Sequence, residues 1–154
     1  MVWLQRIRTR RSGFTLLEMI VVIAIGGILA TLVMLSFSTV QGQLATRSAQ
    51  SNFLSLHAQA RSLAVERGVT SEFVVVDATG VVSVSVGGNV VNQVDLGQEF
   101  AVTVATSGGG GGFTQCFTPR GIADLNCVTA TRTVTFTRGS RTTQVEVLPL
   151  GQAR

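Results

Sequence analysis

Arg10-Arg11-Ser12-Gly13-Phe14-Thr15-Leu16-Leu17-Glu18-Met19 opens a run that continues as IVVIAIGGILATLVMLSF to Phe37. From Phe14 onward it is apolar apart from a few small hydroxyl residues and one charge, Glu18, and about 20 apolar residues are enough for a helix to cross a bilayer. Four arginines, Arg6, Arg8, Arg10 and Arg11, stand immediately before it. A basic flank of this kind stays in the cytoplasm, so the sequence predicts one span with the C-terminal part exported. The small residues between Ala24 and Ala30 leave open a second reading, an ordinary secretory signal cut within the run. Gly26/Ala30 and Gly27/Thr31 are small residues four apart, a spacing suited to close helix packing, although glycine is also tolerated in membrane helices without that role.

Outside this run the composition is ordinary. All 12 basic residues are arginine, since the chain has no lysine, and they face eight acids. Removing residues 1–13 leaves eight arginines against eight acids, so the formal charge of +4 belongs to the N-terminal flank. Without lysine, neither Schiff-base chemistry nor a lysine-dependent phosphate loop is available, and the glycine tract within Ser107-Gly-Gly-Gly-Gly-Gly112 reads as a flexible connection. One histidine, His57, no tyrosine and scattered acids supply no nucleophile, base and orienter within reach of each other, so no catalytic residue, metal or cofactor is expected. Cys116 and Cys127 fall in the exported region, where an even cysteine count favours a disulfide over two buried thiols.

No proline or turn cluster interrupts the chain from Phe37 to Gly68. Val40, Leu44, Phe53, Leu56, Ala60, Leu63 and Ala64 recur mostly three or four apart, which predicts one helix of about 50 residues that ends at Gly68. After it the period changes to two. VTSEFVVVD, GVVSVSVGG, NVVNQVDLG and EFAVTVATS are expected as a four-stranded meander. FTQCFTP is a further strand, residues 120–127 a closed loop, and TRTVTFT-RGSR-TTQVEVLP a hairpin with Gly139 in its turn. LGQAR is expected as an exposed tail. The fold class is therefore α+β, a long N-terminal helix packed on a small antiparallel β-sheet domain. Its organisation is a leader (residues 1–13), a membrane and assembly helix (14–37), an amphipathic continuation (38–68) and a β-rich exported domain (69–154).

The junction RRSG/FTLLEM resembles the prepilin peptidase signal of type IV pilins and type II secretion pseudopilins. The resemblance implies cleavage after Gly13, N-methylation of Phe14 and an assembly role for Glu18. A carboxylate in a membrane helix costs about 2.5 to 3.5 kcal/mol on insertion scales, so it calls for a partner. The new amine of Phe14 in a neighbouring subunit is one, and the helix dipole also favours a negative charge in the first turns; a Glu18 that snorkels to the interface is the alternative. Ala60-Arg61-Ser62, Phe117-Thr118-Pro119-Arg120-Gly121 and the terminal Gly151-Gln152-Ala153-Arg154 are similar to pieces of the GspH/FimT group of minor pseudopilins. Leu35, the twenty-second residue after the cut, stands where major pilins commonly carry proline, which points to a minor subunit.

These resemblances imply a non-enzymatic structural subunit of the bacterial inner membrane, incorporated into a pilus or pseudopilus. Its partners would be prepilin peptidase with its methyl donor, other pilins through the N-terminal helix, and an inner-membrane assembly platform. The alternative is a DNA-binding minor pilin for natural transformation. Residues 120–154 hold Arg120, Arg132, Arg138, Arg141 and Arg154 against Asp124 and Glu146, and phosphate attraction needs such clustering. That reading places contacts at Arg138, Arg141 and Arg154, although Gln152 departs from the Gly-Arg-x-Arg tail of DNA-binding members.

Overall fold

The computed structural model describes residues 13–108 and 110–154, with the side chains of residues 32–38 outside the description. Two compact units, Met1–Ser38 and Thr39–Arg154, are treated separately below.

Helix α1, Leu16–Arg67, has 52 residues. It stops at Gly68, whose φ of 65° is the left-handed conformation that glycine adopts without a Cβ penalty. In the first unit every described side chain from Gly13 to Thr31 is exposed, including Leu16, Ile23 and Ile28. Among the described residues no helix is long and apolar enough to cross a membrane. The expected span reaches residues 32–38, whose side chains lie outside the description, as do leader residues 1–12.

In the second unit α1 lies on two antiparallel sheets. Strands β1 (Ser71–Val76), β2 (Val81–Val86), β3 (Asn89–Asp95), β5 (Gly112–Phe117) and β6 (Ala123–Asp124) form one sheet in the order β3-β2-β1-β5-β6. Strands β4 (Thr103–Thr106), β7 (Arg132–Arg138) and β8 (Arg141–Val147) form the other in the order β4-β7-β8. Period-two burial along β1 sends Phe73 and Val75 inward, and the same alternation buries Val134 and Phe136 on β7. Phe53 of α1 joins the two sheets. Its ring meets Phe73 edge-on at 5.2 Å and Phe136 at 5.6 Å.

The buried stripe of α1 departs from the predicted one at its start. Phe53, Leu56, Ala60 and Ala64 are buried as expected, but Val40 and Leu44 are 51% and 59% exposed. Gly42, Ala45, Thr46 and Ala49 face the domain there instead. Their small side chains let the sheet approach closely, a signal that counting large apolar residues misses.

The four-stranded meander also needs correction. β1, β2 and β3 form it, with Ser71 opposite Val86 and Val82 opposite Val94. The fourth segment leaves the sheet. Asp95 caps a short helix α2, Leu96–Phe100, by accepting from the Gln98 amide at 2.9 Å. This turn redirects the chain so that β4 pairs with β7 in the second sheet. Leu96-Gly97-Gln98, at the junction of the third and fourth expected strands, is thus the start of a capped helix. The expected hairpin forms as β7 and β8, with Arg138 opposite Arg141. Gly139 at φ 58° supplies the first central residue of its two-residue turn.

The C-terminal residues are not an exposed tail. The Leu148 amide donates to the Gln152 carbonyl at 2.8 Å, and Glu146 and Arg154 exchange backbone hydrogen bonds at 2.7 and 2.9 Å. An edge strand presents unpaired backbone groups, and the returning segment satisfies part of that row on β8.

Candidate functional site

The expected cleavage junction lies at the start of α1. Gly13 and Phe14 precede the helix, and Phe14 is 76% exposed. Thr15 caps the helix, its hydroxyl accepting from the Glu18 amide at 3.2 Å. Thr15-Leu-Leu-Glu18 thus has the spacing of a capping box, a start signal present in the sequence but missed there. The cap places the Gly13–Phe14 bond just outside the helix and Glu18 in its first turn, where the aligned amide dipoles favour its carboxylate. Among the described residues a Cβ added at Gly13 would meet nothing within 4 Å, and the same holds at Gly26 and Gly27. Packing among the described residues therefore does not require glycine at these three positions.

Cys116 and Cys127 form a disulfide with Cα atoms 5.8 Å apart. It closes the loop around β6, which pairs Cys116 with Asp124 and Phe117 with Ala123.

His57 is the least anticipated feature of the domain. Its ring is 5% exposed and stands edge-on to Phe73 and Phe117 at 5.3 and 5.2 Å. Nε2 lies 2.8 Å from Oε1 of Gln115, a fully buried side chain whose Nε2 donates to the Leu148 carbonyl at 3.0 Å. Because the amide nitrogen is committed to Leu148, the oxygen accepts, and His57 carries its proton on Nε2. The relay joins α1, β5 and the returning C-terminal segment. Burial lowers the His57 pKa; the Gln115 hydrogen bond acts in the opposite direction, and Arg61 adds to the lowering. No sequence signal pointed to Gln115.

The three arginines of the DNA reading do not meet at one point. Arg138 and Arg141 are opposite each other at the hairpin end. Arg138 also donates to the Phe100 carbonyl at 3.0 Å. Arg154 pairs with Glu146 at 3.1 Å, five residues along β8 from Arg141, a separation of about 17 Å at strand rise.

Comparison with known proteins agrees with both ends of this geometry. Residues 8–34 match the family model of the prokaryotic N-terminal methylation motif. No curated protein sequence matches the chain significantly. Among solved structures, the type IV minor pilin FimU of Pseudomonas aeruginosa matches in two crystal forms. The first has a TM-score of 0.57 at 15% identity, over 71% of this chain and 86% of that one. The second has a TM-score of 0.54 at 16% identity, over 70% and 90%. The chain thus carries a prokaryotic N-terminal methylation motif and has a fold similar to that of a minor pilin.

Proposed function

We propose that the chain is a non-enzymatic minor subunit of a type IV pilus or a type II secretion pseudopilus. Prepilin peptidase cuts between Gly13 and Phe14, Phe14 is N-methylated, and residues 14–37 hold the subunit in the inner membrane with its domain outside the cytoplasm. During assembly Glu18 pairs with the Phe14 amine of a neighbour and sets the axial register of the stem. The observation that carries this reading is the methylation motif running directly into α1, on a domain with a minor-pilin fold.

The exposed apolar surface of residues 14–31 supports it, because such a surface calls for lipid or other stems around it. So does the open space around Gly26 and Gly27, where neighbouring helices could approach closely. The DNA alternative draws less support. Arg154 is neutralised by Glu146 and Arg138 is engaged by a carbonyl, which leaves Arg141 the exposed, uncommitted member of the three.

Intact-mass spectrometry of the membrane-extracted protein tests the reading. The expected species starts at Phe14 and carries one added methyl group. Since a Cβ at Gly13 meets nothing among the described residues, a processing defect in Gly13→Ala would report the peptidase pocket and not misfolding. A mature N-terminus between residues 24 and 30 would mean a secreted soluble protein and would overturn the proposal.

A further inference from the structure

The amides of Glu146 and Leu148 point away from β7, and among the described residues the acceptors that meet them are the carbonyls of Arg154, at 2.7 Å, and Gln152, at 2.8 Å. The segment that supplies these carbonyls turns back at Gly151, which is buried and donates its amide to the Leu148 carbonyl at 2.9 Å. A Cβ added at Gly151 would lie 2.8 Å from Phe117 Cε1 and 3.0 Å from Ala123 Cβ, so the bare backbone rests on these two side chains. Phe117 and Ala123 are opposite each other in the β5–β6 pair. The edge of β8 is therefore closed by a segment whose footing includes β6.

That footing is weak by itself. Strand β6 has two residues, and its register consists of Cys116 opposite Asp124 and Phe117 opposite Ala123. The loop around it is fastened by turns of its own: the Thr118 amide donates to the Ile122 carbonyl at 2.9 Å and the Cys127 amide to the Asp124 carbonyl at 3.1 Å. Strand pairs this short are marginal without further support. The support is the Cys116–Cys127 bond, which joins β5 to the chain three residues beyond Asp124. Across a separation of 11 residues, loop-closure entropy favours the closed loop by on the order of 100-fold. Cys116 is 7% exposed and Cys127 is exposed, so the bond meets solvent at its Cys127 end.

We propose that the disulfide is a redox latch for the edge of β8. With the bond formed, β6 stays on β5 and seats residues 148–154. With the bond reduced, β6 lifts, the seat is lost, and the amides of Glu146 and Leu148 are released. The opening reaction is thiol–disulfide exchange with a dithiol. One thiolate of the dithiol attacks Cys127 Sγ and expels the Cys116 thiolate, and the second thiol resolves the mixed disulfide. Two electrons and two protons pass to the cysteines, and the dithiol leaves as a disulfide. An edge with released amides is open to pairing with a strand of another chain, so the oxidised state is the one closed to it. The latch lies wholly within residues 39–154 and does not depend on how the stem is read.

Hydrogen exchange of the full chain in detergent, followed residue by residue by NMR, tests the latch. The oxidised chain is compared with the chain reduced by dithiothreitol and with the Cys116→Ser, Cys127→Ser double variant, which removes any doubt about complete reduction. The expected result is exchange faster by about 100-fold at the Glu146 and Leu148 amides, at a rate that low urea does not change, the mark of a local opening. Gly151→Ala strains the seat directly, so it should speed the same amides in the oxidised chain and add far less once the cysteines are replaced. Exchange at Glu146 and Leu148 that stays at its oxidised rate overturns the latch. So does a rise only through the urea-dependent route shared with Phe73 and Val84 on the central strands, which would leave the disulfide as a source of global stability alone. Full additivity of Gly151→Ala with the cysteine replacements overturns it as well.

Discussion

Replacing Gln115 by leucine tests how far the buried relay supports the domain. The change removes the buried acceptor for His57 Nε2 at 2.8 Å and one of two donors to the Leu148 carbonyl, which keeps the Gly151 amide at 2.9 Å. A buried polar group left without a partner costs about 1 to 3 kcal/mol. One such group at about 2 kcal/mol and one lost hydrogen bond at about 1, less about 1 kcal/mol regained from a more apolar side chain, predict a loss of roughly 2 kcal/mol. Against a typical total of about 5 to 15 kcal/mol this is a large fraction, and it corresponds to a fall in Tm of roughly 8 °C for a domain of this size. Removing both relay side chains, with His57→Leu and Gln115→Leu together, should cost less than the sum of the single changes, because neither side chain then leaves the other unpaired. The assay is thermal and urea unfolding of the mature chain in detergent, with Leu44→Ala as the control because Leu44 is 59% exposed. A loss below about 1 kcal/mol for Gln115→Leu, or strict additivity in the double variant, would refute the claim that the relay acts as a unit.

Glu18→Gln should leave membrane insertion intact, since it removes a charge from the helix, and should abolish cross-linking of the stem to neighbouring pilins; normal incorporation would exclude Glu18 from assembly. Replacing Cys116 and Cys127 by serine releases the loop that the bond keeps closed in the unfolded chain and should lower stability by about 3 kcal/mol, read as a drop in urea midpoint. The lowered pKa of His57 sets a pH dependence. Below the usual 6.5 the unfolded chain takes up this proton before the folded one does, so stability should fall as pH drops from 6.5 toward the folded value and level off below it. Unfolding measured across that range should be steeper for the native chain than for His57→Gln, and equal slopes would remove His57 as the cause.

The parts of the fold that were legible in the sequence are those written as local pattern. The apolar run, the unbroken helix to Gly68 and the β1–β2 and β7–β8 pairings follow from periodicity and turn chemistry that each segment carries by itself. The errors arose where one segment answers to another. Val40 and Leu44 fit the stripe by spacing, but the sheet packs where Gly42, Ala45 and Ala49 give it room. EFAVTVATS alternates like a meander strand, yet the Asp95 cap turns the chain and β4 finds β7 across the domain. LGQAR is polar and terminal, so it reads as a tail, while the unpaired edge of β8 gives it a partner.

The same division separates the two candidate sites. The methylation motif must be read by other proteins, so its information is contiguous, and residues 8–34 carry it whatever the domain does. The relay has no such reader. Gln115 sits on β5 at a position where alternation demands only that something face inward, and its amide is satisfied by residues 58 earlier and 33 later in the chain. A buried glutamine is costly unless both partners arrive, which makes it informative once the fold is known and silent before. Arg141 follows the same logic in the opposite direction. In the sequence it is one of five arginines that suggest nucleic acid; in the structure its stem lies on Gly42, beside the turn of helix that leaves the apolar run. Charge read along a chain gives the sign of a partner, whereas position on the fold decides which charges are already committed within the domain, as Arg138 and Arg154 are.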